Sequence, residues 1–189
     1  MSQPYDNLVL VLTPDNPCNT TIQDQATGET YYTVKTEHGK YTCTRILNSE
    51  HKEIASWRWR DLRSDILTLT TGAGRGVTSP ASEWLKESKR PFKSTVSFSD
   101  RFKRKYKWKG NGMIKPQPLQ QLFADEDGTR PIAHVTKGRR NRDATRTPPT
   151  YTSSSSTLTL SPRAQEIMDK VVISFCLLEK EQRSRRIPP

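Results

Sequence analysis

Near its C-terminus the chain runs Val171-Val172-Ile173-Ser174-Phe175-Cys176-Leu177-Leu178, and no other segment constrains the fold as much. At about 100° per residue only the direction of Ser174 is polar, and a helix apolar on every side belongs in a protein core or a membrane. The uninterrupted run is far shorter than the ~20 residues that a bilayer span needs. Upstream, Ser161 reads as an N-cap with Pro162 at the first helical position and Glu166 soon after. Arg183, Arg185 and Arg186 follow where cations complement the helix dipole. One long helix, opened by Ser161-Pro162 and surrounded by protein, is expected.

What surrounds it reads as strands. Short alternating or β-branched runs bounded by turn chemistry occupy residues 7–13, 20–24, 30–36, 41–47, 52–60, 65–70, 94–99, 103–109, 120–124, 131–137 and 156–160, with a short strand or helical turn at 82–86. Glu37-His38-Gly39-Lys40 is expected to turn a hairpin with Gly39 at positive φ. The fold class that follows is mainly β with one C-terminal helix, about twelve strands forming a barrel-like body around it. Only 32% of the residues are apolar, low for a compact domain of 189 residues. One domain over residues 5–186 is therefore expected, with flexible loops near 70–81, 110–118 and 138–155 and disordered tails at 1–4 and 187–189.

Little in the chain points to catalysis. Cys18, Cys43 and Cys176 are widely spaced, and with His38, His51 and His134 they form no zinc spacing, so neither metal, cofactor nor disulfide is expected. The glycines of 71–80 lack the Gly-Lys-Ser/Thr of a phosphate loop. Asp125, Glu126 and Asp127 read as solvated turn residues, and Ser174 is expected to bond the backbone of Lys170. No His is placed for a triad, and an enzyme is not expected. No N-terminal apolar leader follows Met1, which predicts a cytoplasmic protein. Thr13, Ser79, Thr147 and Ser161, each before Pro, are candidate phosphorylation positions.

The formal net charge of +11 is unevenly spread. Residues 1–56 carry seven acidic and four basic side chains, whereas 86–109 hold ten basic ones against Glu87 and Asp100, a net of +8. Within that stretch, period-two geometry sends Phe102, Tyr106 and Trp108 to one side and Lys103, Lys105, Lys107 and Lys109 to the other. Ala55-Ser56-Trp57-Arg58-Trp59-Arg60 repeats the device, with the indoles inward.

Several of these segments together carry a resemblance: Gly28-Glu29-Thr30-Tyr31-Tyr32-Thr33-Val34, Ile54-Ala55-Ser56-Trp57, Tyr106-Lys107-Trp108-Lys109-Gly110, Leu122-Phe123-Ala124-Asp125-Glu126-Asp127-Gly128, and the helix over 167–180. Over about residues 5–182 the chain resembles a fungal, mostly basidiomycete, family of unknown function. That family is similar to the tubby C-terminal-like superfamily, with its LURP-one-related and phospholipid scramblase members. The resemblance implies a tubby-like closed antiparallel barrel of twelve strands around the hydrophobic helix. Tubby domains bind phosphoinositides, scramblases act on membrane lipids and LURP-one proteins are linked to plant defence. No phosphoinositide motif, calcium site or palmitoylated cysteine cluster of these relatives is matched here, so no site is carried over.

Three readings of the basic stretch remain open at this point. Outward lysines keep a barrel soluble and guard its edges. Alternatively, Lys89, Arg90, Lys93, Lys103, Lys105, Lys107 and Lys109 form a patch for anionic lipid headgroups, each worth about 1 kcal/mol near such a surface. The alternative is a nucleic-acid-binding or protein-interaction module with no lipid role; nucleic acid would want exposed aromatics beside the cations, whereas alternation predicts that Phe102, Tyr106 and Trp108 point inward. The expected state is a monomer.

Overall fold

The computed structural model describes residues 6–61, 63–70, 76–88, 95–110, 119–138, 140–143 and 150–184. The first seven strands are β1 (Leu8–Thr13), β2 (Thr20–Asp24), β3 (Thr30–Glu37), β4 (Cys43–Asn48), β5 (Glu53–Arg58), β6 (Ile66–Thr70) and β7 (Gly76–Pro80). A helical turn, α1 (Ala81–Trp84), leads to β8 (Lys86–Glu87), β9 (Thr95–Ser99), β10 (Lys105–Gly110), β11 (Leu119–Ala124) and β12 (Pro131–Thr136). The hairpin β13 (Arg140–Asp143) and β14 (Thr150–Ser153) stands apart, and β15 (Thr157–Leu160) precedes α2 (Pro162–Gln165) and α3 (Met168–Ser184).

Thirteen strands form one sheet in the order β7-β6-β5-β4-β3-β2-β1-β15-β12-β11-β10-β9-β8. Two meanders are stitched together by β15, which pairs β1 through Leu8↔Leu160 and β12 through Ala133↔Leu160. Alternation decides which side faces in: Leu10 and Leu12, Tyr106 and Trp108, and Leu158 and Leu160 are all buried. Every position of α3 from Val171 to Glu179 is buried as well.

The sheet curls around that helix. The Tyr32 hydroxyl on β3 donates to Asp169 at 2.6 Å, and the Trp108 indole on β10 donates to Ser174 at 2.9 Å. Six strand steps separate β3 from β10, roughly 29 Å in a flat sheet at about 4.8 Å per step. A helix is only about 10–12 Å across, so both strands reach it only if the sheet bends round it.

Ion pairs pin the C-terminal end of α3 to three loops. Lys180 meets the buried Asp65 at 2.7 Å, Arg183 meets Asp15 at 2.7 Å, and Lys137 is bonded to the buried Glu179. Asp65 also accepts the Arg60 N–H at 3.0 Å. Such charges are tolerated inside because each has its partner and further hydrogen bonds.

Several expectations are corrected. Every neighbouring pair in the sheet is antiparallel, so with thirteen strands the edges β7 and β8 run in the same direction and cannot close by an antiparallel ladder. Instead α1 and Leu85 join them, with Ala81 and Leu85 buried. Part of the expected 70–81 loop is β7, and part of the 138–155 loop is the β13–β14 hairpin. The closing helix is two: Ile167 bonds Ala164 and Lys170 bonds Ile167, tight i to i−3 links that interrupt the ladder between α2 and α3. Ser161 caps α2 as expected, accepting from the Ala164 N–H at 3.4 Å. Among the described residues positive φ occurs at Gly28, His51 and Lys103, not at Gly39.

Candidate functional site: a basic hairpin and its lysine row

The turn between β9 and β10 is organised by one carboxylate. Asp100, only 7% exposed, accepts the Phe102 N–H at 2.8 Å and the Arg104 N–H at 2.9 Å on Oδ1, while Oδ2 takes the Arg104 guanidinium at 2.5 Å. The Asp100 carbonyl accepts the Lys103 N–H at 3.0 Å, closing a turn in which Lys103 takes φ 62°. Burial works to raise the Asp100 carboxyl, yet the hydrogen bonds from the Arg104 side chain and from both backbone amides prevail and hold it below the usual carboxylate range.

This turn overrides the alternation. Strand β10 begins at Lys105, two residues later than expected, so Lys103 lies in the turn rather than in the lysine row. Phe102, expected inward, is 63% exposed, with the Arg101 guanidinium 4.7 Å and that of Arg104 5.2 Å from its ring centroid. Tyr106 and Trp108 do point inward and are buried. Trp59, also expected inward, packs half-buried against the core just beyond the end of β5, donating to Thr44 at 2.8 Å beneath the Lys180 ammonium.

Lys105, Lys107 and Lys109 form the outward row, facing Ser99, Ser97 and Thr95 across the β9 ladder. Lys86 pairs with Ser97 one strand further and extends the basic face. The row is partly neutralised by the β11–β12 turn. Lys107 is bonded to Asp125, whereas Lys109 donates to the Gly128 carbonyl at 3.2 Å and stands 4.0 Å over the Phe123 ring. The hydrogen bond from Lys107 outweighs desolvation and, with the charges of Lys107, Lys105 and Lys109, holds the Asp125 carboxyl below its ordinary range. Among the described residues, Arg101, Lys103 and Lys105 make no ion pair. Lys89, Arg90 and Lys93 lie outside the described residues.

Other sites are weaker. A shallow groove along Asp6, Asn7, Asp24 and Gln165 has polar groups already engaged: Asp24 accepts from Ala26 and Thr27, and Gln165 donates to the Asp6 carbonyl. Among the described residues no three His, Cys, Asp or Glu side chains converge as metal ligands, and all three cysteines are free. No helix of the described residues is long and apolar enough to cross a membrane.

Over residues 15–184 the sequence matches the family of unknown function DUF6593. The chain belongs to that family. The DUF6593 match takes in the basic hairpin, the acidic turn that leans on it and all of α3, while β1 falls outside it. No curated protein and no solved structure matches the chain significantly.

Sequence reasoning missed Asp100 as the organiser of the turn, Phe102 as an exposed ring and Asp125 as the counterion of Lys107. An Asp opening a short polar segment between two alternating runs is a turn signal, and Asp100 is placed that way.

Proposed function

We propose that this protein is a non-enzymatic, monomeric binding domain that docks on anionic, phosphoinositide-type lipid headgroups at the cytoplasmic face of a membrane. The observation that carries the reading is the grouping of Arg101, Lys103 and Lys105 on one tightly bonded turn, without an ion pair among the described residues. Lys86, Lys107 and Lys109 extend the positive face beside it. Each cation near an anionic leaflet contributes about 1 kcal/mol, so a handful gives reversible, salt-sensitive attachment. The proposal includes a tubby-like architecture in which the curled sheet acts as a barrel closed by α1, with the apolar α3 as its plug. On this reading α3 is structural and the membrane is met by the sheet's surface.

Nucleic acid is the alternative partner, and the exposed Phe102 beside cations favours it. Against it, Tyr106 and Trp108 are buried, which leaves the hairpin one exposed ring where stacking of a single strand would want several. Vesicle flotation with and without phosphoinositides, run beside a titration of a fluorescent single-stranded oligonucleotide, separates the two. Flotation with the anionic vesicles alone is the expected result. Binding to the oligonucleotide but not to vesicles reverses the assignment.

A further inference from the structure

Resting on the lipid-docking reading, we infer that the hairpin meets the membrane tip-first, with the Phe102 ring inserted at the level of the upper acyl chains and Arg101, Lys103 and Lys105 among the headgroups. Among the described residues, Tyr41, Val77 and Phe102 are the large apolar side chains that stand exposed. Single exposed apolar residues are ordinary, but Phe102 differs in how it is held. The buried Asp100 carboxylate fixes the amides on either side of the apex, and Lys103 adopts a left-handed backbone that non-glycine residues rarely take. The result is a ring directed outward on a rigid turn in a position where the strand pattern would have buried it.

The chemistry around the ring suits a bilayer interface. Arg101 and Arg104 lie against it; Arg104 is held by Asp100, whereas the long Arg101 side chain can keep its charge among headgroups while the apolar body beneath it sinks. One inserted ring or a few cations alone bind weakly, and stable peripheral attachment combines two signals. Tyr41 cannot share the task. It sits in the β3–β4 loop against the Arg58 guanidinium, next in sequence to Trp59, which lies under Lys180 towards the C-terminal end of α3, whereas Arg104 of the Phe102 turn pairs with Glu166 ahead of the helix's N-terminal end.

Tip-first docking also ranks the lysines. Lys107 and Lys109 recede from Lys105 by roughly 7 and 14 Å along the strand, approaching or exceeding a Debye length of about 10 Å. Both are already engaged by the β11–β12 turn. Flat docking on the barrel side would instead engage the whole row.

The test uses the full chain and phosphatidylcholine vesicles with and without phosphatidylserine and a phosphoinositide. Phe102→Trp should show fluorescence quenching by shallow nitroxide-labelled lipid beyond that of the wild-type tryptophans. Phe102→Ser, at an exposed position that leaves the melting midpoint unchanged, should partition about tenfold more weakly with an unaltered salt slope. If the wild type binds anionic vesicles while Phe102→Ser binds equally well and Phe102→Trp gains no quenching, insertion is overturned and flat docking stands. If the wild type binds no vesicle, or only a single-stranded oligonucleotide, both the insertion and the lipid reading fall.

Discussion

The Trp108 indole donates to the Ser174 hydroxyl at 2.9 Å, tying the strand that carries the lysine row to the middle of the buried helix. The Ser174 hydroxyl in turn donates to the Val171 carbonyl at 3.0 Å, so it is both acceptor and donor in a fully buried place. One strand thus has an inner face anchored to α3 and an outer face of cations.

Removing the acceptor should be costly. Ser174→Ala leaves a buried indole N–H unpaired and is expected to destabilise by about 1–3 kcal/mol. The double variant Trp108→Phe/Ser174→Ala should lose less than the sum of the single variants, with a coupling of about 1 kcal/mol in denaturant titrations. Strict additivity would show that the bond contributes nothing.

Asp100 should report on pH. Its folded carboxyl lies below the usual range, so its contribution is present above the unfolded value of about 3.9 and is lost as pH falls through the folded value. Asp100→Ala, which frees the Phe102 and Arg104 amides, is expected to cost about 1–3 kcal/mol at neutral pH. Asp100→Asn should cost less, and its deficit in thermal melts should shrink as the pH drops below about 4. A deficit that is constant with pH would contradict the charge-assisted turn.

Asp125→Asn should release Lys107 from its counterion. Binding to anionic vesicles at low salt is expected to strengthen by up to about fivefold, while the melting midpoint barely moves because the pair is solvent-exposed. Weaker binding would mean that the acidic turn itself contributes to the contact.

How much of this was legible depends on the range of the physics involved. Val171 to Leu178 announced a buried helix because apolarity on all sides is a local property, and Tyr106 and Trp108 followed the period of two. Phe102 did not, because a carboxylate two residues earlier and a left-handed Lys103 set its direction. Ser174 was expected to bond the Lys170 backbone but bonds Val171 and Trp108 instead, the latter 66 residues away in sequence. The partial neutralisation of the lysine row was equally hidden, since it needs the β10–β11 register that brings Asp125 to Lys107. The parallel direction of the two sheet edges turned on β8, two residues long, which changes the strand parity and leaves no periodic signal.

The most direct test of anionic-surface docking is the vesicle partition coefficient of the wild type beside Lys103→Glu/Lys105→Glu, measured on anionic and neutral vesicles at about 0.1 M and about 1 M salt, where the Debye length falls from about 10 to about 3 Å. The expected result is wild-type binding to anionic vesicles that weakens steeply with salt and a loss of at least about tenfold in the double variant at low salt. Equal partitioning of the two proteins on anionic vesicles would contradict the account.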